Sequence, residues 1–168
     1  ITEFGREEKS ILCHDNMLYT LNVGNGNINA LNLSTGEEEV VYTINDSTVN
    51  GVKYDGFSLG HDFYDGHILL DGIKSDGYTD FLAVDVNEKT ITKLELYSDD
   101  NFCGIFAENS EYFYVQTGKF AYKIEIPDPE GNTYTGDIPM MKMSLIKKAD
   151  YWNNIPNFIE ITDYAYGS

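Results

Sequence analysis

The sequence predicts an all-β fold assembled from a repeated four-stranded antiparallel unit. Four observations carry that expectation. Thirteen tyrosines and nine phenylalanines stand against only four prolines, and large flat side chains favour strands because they pack well on a pleated surface. Short runs alternate apolar with polar residues between clusters of Gly, Asn, Asp and Ser, the residues that supply tight hairpin turns. No stretch of a dozen residues keeps the i, i+3, i+4, i+7 spacing of a helix, and the best helical segment is a single turn around Lys147 to Trp152. The fourth observation is that the runs recur in one order, three times along the chain.

The first segment is "SILCHDNMLYTLNV", the turn "GNGN", then "INALNLSTGEEEVVYTI". The second is "GFSLGHDFYDGHILLDGI", the turn "KSDGY", then "TDFLAVDVNEKTITKLEL". The third is "NFCGIFAENSEYFYVQTGKFAYKIEI", a longer insertion, then "MMKMSLIKKADYWNNIPNFIEIT". In each, a small or apolar first strand ends at a polar turn: His14-Asp15-Asn16, Tyr64-Asp65-Gly66, Glu108-Asn109-Ser110. A bulky second strand follows, beginning near Leu18, Ile68 and Tyr112. The third strand, Ala30 to Leu33, Ala83 to Val86 and Ser144 to Lys147, breaks at Ser34 to Glu37, Asn87 to Thr90 and Lys148 to Tyr151. The fourth strand, Val40 to Ile44, Ile91 to Leu96 and Phe158 to Ile161, closes the unit.

The second-strand anchors Leu18, Ile68 and Phe113 lie roughly 45 to 50 residues apart, the length of a four-stranded propeller blade. The expected architecture is therefore β-propeller blades, about three of them, at approximately residues 10–50, 51–98 and 101–164 of a single domain over residues 1–168. Ile1 to Lys9 would be the last strand of a preceding blade. Three blades alone would leave two apolar faces in water, because each blade needs neighbours. A partial propeller from a longer chain, or half of an oligomeric one such as a six-bladed homodimer, follows; an all-β sandwich of about a dozen strands is the other arrangement. The chain begins at Ile1 rather than Met, which fits removal of a leader or of a longer N-terminal part.

The stretches "DNMLYTLN", "NALNLSTGEEEVVY" and "FLAVDVNEKTITKLEL" resemble repeats of six-bladed TolB-like and YWTD-like propellers of bacterial extracytoplasmic lipoproteins. The resemblance spans nearly the whole chain but carries no YWTD tetrapeptide and no WD40 signature. It implies an architecture and an extracellular or cell-envelope location, and no particular activity.

A formal net charge of −17 repels phosphate backbones and anionic membrane surfaces, so nucleic acid is not an expected partner. No run approaches the length of a membrane span, so membrane insertion is not expected either. Two cysteines, Cys13 and Cys103, make no disulfide framework and read as free thiols. A single arginine, Arg6, among eleven basic residues is the bias of AT-rich bacterial coding sequence.

Gly56-Phe57-Ser58-Leu59-Gly60 spells the G-x-S-x-G nucleophile elbow. A working elbow needs a buried strand before the serine and a helix after it. "TVNGVKYDG" before Ser58 is polar and interrupted by glycine, and "HDFYDGHILL" after it alternates like a strand, so the expectation is a strand and no catalytic residue. His61 and His67 with Asp62 and Asp65 do not make a zinc set, because strand neighbours point to opposite faces and a third ligand is missing. No metal site is therefore assigned. His14 and His61 align on successive first strands and would both face an axial channel, which makes them ligand-binding candidates.

No cofactor is expected; the acidic turns around Asp71, Asp76, Asp80 and Asp85 admit a loose calcium site without EF-hand spacing. The segment Ile126 to Met141, "IPDPEGNTYTGDIPMM", departs from the repeat and reads as a surface loop. Its Tyr134 beside acidic residues suits a glycan or peptide contact. Trp152, with Tyr151 and Phe158, either closes a blade or stacks on a sugar. The neighbouring acids Asp99-Asp100 and Glu37-Glu38-Glu39 flank turns and are not held in a cleft as a glycosidase dyad would be. Together these point to a non-catalytic cell-surface or secreted module that binds protein or carbohydrate. The alternative is a propeller-type glycosidase or lyase with an axial site built on His14 and His61.

Overall fold

Asp15 and Asn16 both take left-handed backbone, with φ of 43° and 64°. That is the geometry of a two-residue hairpin turn whose twist matches its strands, and Asp and Asn tolerate it better than other side chains. The turn joins β1 (Ile11–His14) to β2 (Met17–Asn22), which pairs with β3 (Asn27–Asn32), which pairs with β4 (Glu38–Thr43). The result is a four-stranded antiparallel meander in the order β1-β2-β3-β4. The computed structural model describes residues 11–166, with side chains placed for all of these except residue 61 and residues 162–166. The strand expected at Ile1 to Lys9 lies outside the described residues.

A short ribbon, β5 (Thr48–Val49) and β6 (Val52–Lys53), leads into the second meander: β7 (Gly56–Tyr64), β8 (His67–Ile73), β9 (Thr79–Asp85) and β10 (Thr90–Lys93). A second ribbon, β11 (Tyr97–Ser98) and β12 (Asn101–Phe102), precedes the third: β13 (Ile105–Glu108), β14 (Tyr112–Pro127), β15 (Thr133–Lys147) and β16 (Ile159–Tyr166). The five-residue helix α1 (Lys148–Trp152) lies between β15 and β16. The fold is all-β, and the helical turn falls where the sequence placed it. Contacts divide the chain into two units, Ile1–Leu94 and Glu95–Ser168.

The three meanders share a fine detail. The residue before the second strand accepts, through its carbonyl, a hydrogen bond from the N–H of the residue after the third strand. Leu33 donates to Asn16 at 3.0 Å, Val86 to Gly66 at 3.0 Å and Lys148 to Glu111 at 3.1 Å. Side chains repeat as well. Asn32 Oδ1 accepts the N–H groups of Ser34 and Thr35, and Asp85 Oδ1 those of Asn87 and Glu88. A short polar side chain that binds backbone two and three residues ahead is what nucleates such turns.

These equivalences show which faces the sheets bury. In the first unit one apolar cluster joins Leu12, Tyr19, Leu21, Ile28 and Ala30 of the first sheet to Leu59, Ile68, Leu70, Leu82 and Val84 of the second. β1 lies against β7. Matching the turns sets Met17 against His67, so buried Ile68 and Leu70 correspond to Leu18 and Thr20, not to buried Tyr19. The two sheets therefore pack through opposite faces, front to back. Lys89 Nζ, which donates to Val41 O at 2.7 Å, and Asn50 Oδ1, which accepts the Lys93 N–H at 2.9 Å, tie the elements of this unit together.

In the second unit Phe113, Val115, Met143, Ile146 and Tyr151 are fully buried, with Phe113 and Val115 at the positions of Ile68 and Leu70. The Tyr151 hydroxyl donates to Cys103 O at 3.1 Å, and the Thr117 and Ser144 hydroxyls pair at 2.9 Å at a bulge in β14. Both cysteines are free thiols, Cys13 exposed and Cys103 buried.

The segment read from sequence as a loop, Ile126 to Met141, is mostly strand. β14 and β15 run in continuous register from Gly118↔Lys142 to Pro127↔Thr133. Only Asp128 to Asn132 form the turn. The alternation Phe120, Tyr122, Ile124, Ile126 against Lys119, Lys123, Glu125 explains why: it is a period-2 pattern, and the prolines fall at the turn and along a strand edge where a missing N–H costs little.

Candidate functional site

Ser58 sits in the middle of β7, opposite Asp71, whose Oδ2 accepts its hydroxyl at 3.5 Å. The strand continues past it to Tyr64 and no helix follows. The geometry of a nucleophile elbow is absent.

His14, at the end of β1, stacks on Phe63 with ring centroids 4.4 Å apart and planes 18° from parallel. Its Nε2 lies 3.3 Å from Asp15 Oδ2. His61 lies on β7, two residues before Phe63, and its side chain is outside the described set. His67 is committed locally: Nδ1 is 2.8 Å from Asp65 O, and Nε2 is 3.6 Å from Asp85 Oδ2.

Tyr134 and Trp152 belong to the second unit and are not brought together. Tyr134 pairs with Ile126 near the tip of the long hairpin. Trp152 packs edge-on against Phe113 and Tyr151 with centroids 5.2 Å and 5.1 Å away. Phe113 and Ile126 are thirteen residues apart on one strand, roughly 40 Å at about 3.3 Å per residue.

Among the described residues no group of three His, Cys, Asp or Glu is placed to hold a metal ion. Of the acids read as calcium candidates, Asp76 accepts the Tyr78 N–H, and Asp85 caps its turn. Asp80 is engaged with two ammonium groups: Lys74 Nζ at 3.1 Å and Lys93 Nζ at 3.4 Å. Burial raises the Asp80 carboxyl, but hydrogen bonds from Lys74 and Tyr54 and the charges of Lys93 and Lys74 outweigh it and hold the pKa below the ordinary carboxylate value. For Asp85, burial is likewise outweighed by the Glu88 and Asn87 N–H groups and by His67, and its pKa is lowered.

A concavity lies elsewhere among the described residues. A cavity of about 490 Å³ opens in the first unit between the β2–β3 loop, the connector after β4, and the entry to β7. The loop is built by its asparagines. Asn22 Oδ1 accepts the Gly24 N–H at 3.0 Å, and Asn25 Oδ1 accepts the Asn27 N–H at 3.0 Å. Gly26, at φ +70°, accepts the Ile44 N–H through its carbonyl at 2.9 Å. A Cβ there would stand 2.5 Å from Ile44 O, so only glycine lets the connector run this close.

The opposite wall is aromatic. Tyr54 and Phe57 face one another at 5.6 Å and 52°. Tyr54 is anchored at both ends, since its N–H donates to Ser47 O at 2.8 Å and its hydroxyl donates to Asp80 Oδ2 at 3.0 Å. Asp55 between the two rings is exposed, and Leu21, Val23 and Ile73 extend the apolar lining. An apolar floor with a polar rim of Asn25, Ser47 and Asp55 can hold a flat, hydroxylated or amide-bearing ligand. Asp55 has no second carboxylate in the lining with which to share acid–base work.

Sequence reasoning passed over this site. Its residues are scattered from Leu21 to Ile73; locally, Tyr54-Asp55-Gly56 reads as the polar approach to Ser58 and Phe57 falls inside the G-x-S-x-G match. An aromatic–acid–glycine–aromatic run at the start of a strand was the available signal. Comparisons of this chain with protein-family models, with curated proteins and with solved structures found no match.

Proposed function

We propose that this chain is a non-catalytic binding module of the bacterial cell surface or its surroundings, built of propeller-type blades, and that it takes carbohydrate in the Tyr54–Phe57 groove. The observation that carries the ligand reading is the half-buried ring of Phe57, backed by the buried ring of Tyr54, in the wall of a cavity of about 490 Å³ beside exposed Asp55. Sugar rings present an apolar face to an aromatic plane and hydroxyls to a polar rim, which is the combination found here.

The blade reading is supported by the hydrogen bond common to all three meanders and by the front-to-back packing of the first two. Two sheets of a sandwich meet through inner faces, whereas successive blades each turn one face to the neighbour before and the other to the neighbour after. In a propeller the half-exposed face of the first sheet, with Leu18 and Leu31, would be covered by a further sheet. A longer chain or a second copy would supply it.

The test is a glycan array followed by calorimetric titration of the best binder. Phe57→Ala should weaken binding about tenfold or more, the usual effect of removing an aromatic anchor, with the fold unchanged by circular dichroism. Asp55→Asn should alter selectivity among the bound glycans. An array without binders, or a Phe57→Ala variant that binds as the parent does, would sink the assignment.

A further inference from the structure

Beyond Gln116 on β14 and Met140 on β15, no third strand is in register with the β14–β15 hairpin among the described residues. The remainder is a two-stranded arm. Its register sets Tyr122 beside Ile138, Ile124 beside Gly136 and Ile126 beside Tyr134. One face of the arm is consequently apolar along its length, while Lys119, Lys123, Glu125 and Asp137 occupy the other. Tyr122 is 57% exposed, Tyr134 59% and Ile126 48%.

We infer that this arm is a self-association device: its apolar face packs on the same face of the arm of a second copy. A free two-stranded hairpin is marginally stable in water, so an ordered one with a wholly apolar face calls for a cover. Tyr122, Ile126 and Tyr134, with half-buried Ile124 and Ile138 beside them, present on the order of 300–400 Å² of apolar surface, the size of the largest patch on a typical monomer and one that often serves a function. Two arms face to face bury about twice that, which places the interface at the small, concentration-dependent end of the range.

Charge favours the same occupant. The chain carries −17, which opposes contact between copies almost anywhere. From Lys119 to Lys142, however, the lysines 119, 123 and 142 nearly balance Glu125, Asp128, Glu130 and Asp137. The arm is also held ready. Asp128 accepts the N–H groups of Glu130 and Asn132 at 2.9 Å and 2.8 Å and the Asn132 amide at 2.9 Å, so the tip is a closed turn. Little conformational freedom is left to lose on docking. The inference is independent of the ligand groove, which lies in the other unit.

Sedimentation equilibrium of the full chain, in a concentration series reaching about 200 µM where a weak interface is populated, tests it. The parent chain should show a reversible monomer–dimer equilibrium that tightens as salt screens the net charge. Tyr122→Ser with Tyr134→Ser should weaken it at least about tenfold. Lys123→Ser, on the opposite face, should leave it unchanged. These sites are exposed, and a matching far-UV spectrum confirms an intact fold. A parent chain that stays monomeric throughout overturns the inference. So does a double variant that associates like the parent, or binding of the parent chain to phosphatidylcholine vesicles while it sediments as a monomer.

Discussion

Replacing Asp80 by Asn keeps the shape of the side chain and removes its charge. Asp80 is 6% exposed and holds the Tyr54 hydroxyl at 3.0 Å, Lys74 at 3.1 Å and Lys93 at 3.4 Å. A hydrogen bond to a charged group contributes about 1.5–3 kcal/mol, and leaving one member of a buried pair uncompensated costs about 3–5 kcal/mol. The lysine side chains are 29% and 17% exposed and can turn their ammonium groups toward water, which reduces that figure. An expected loss of about 2–3 kcal/mol follows, read in urea as a lower midpoint at unchanged slope. The pH dependence gives a second readout. Because the folded Asp80 pKa lies below its ordinary 3.8, its contribution is complete above that value and disappears as pH falls through the folded value. The parent should therefore lose stability in acid along a component that the Asn variant lacks. A loss under about 0.5 kcal/mol, or identical acid limbs, would refute the reasoning that this cluster anchors Tyr54 and with it the groove.

Two further outcomes are specific. A Cβ at Gly72 would lie 2.7 Å from the Tyr54 ring and 3.0 Å from Leu82; Gly72→Ala should destabilise by about 1–3 kcal/mol through overpacking and weaken ligand binding by displacing the ring, as urea titration and calorimetry would show. Burial pushes the Cys103 thiol up to about 11, whereas Cys13 is exposed. A thiol reagent at pH 8 should label Cys13 in the native chain and Cys103 only after denaturation, and rapid native labelling of both would contradict the packing around Tyr151.

The strands, their order and their turns were legible from local chemistry. Asp15-Asn16 and Asp65-Gly66 announced hairpins because few other pairs accept two left-handed residues in succession. Period-2 alternation places the second and third strands of each meander, and it marks Ser58 as a strand residue. The same alternation runs through Phe120 to Ile126, but the prolines and glycines that follow it point to a loop where the structure has an arm. Proline excludes a central strand, and it tolerates an edge.

Sequence alone determined that this protein is all-β and that it repeats a four-stranded meander, because backbone preference and side-chain period act over a few residues. Tertiary structure decided which face of each sheet is buried and that Tyr54, Phe57 and the Gly24-Asn25-Gly26 loop share one groove. It also decided that the buried acid Asp80 supports an aromatic wall. Those facts depend on contacts between residues tens of positions apart, such as Asp80 with Tyr54, and no local pattern encodes a contact across that distance.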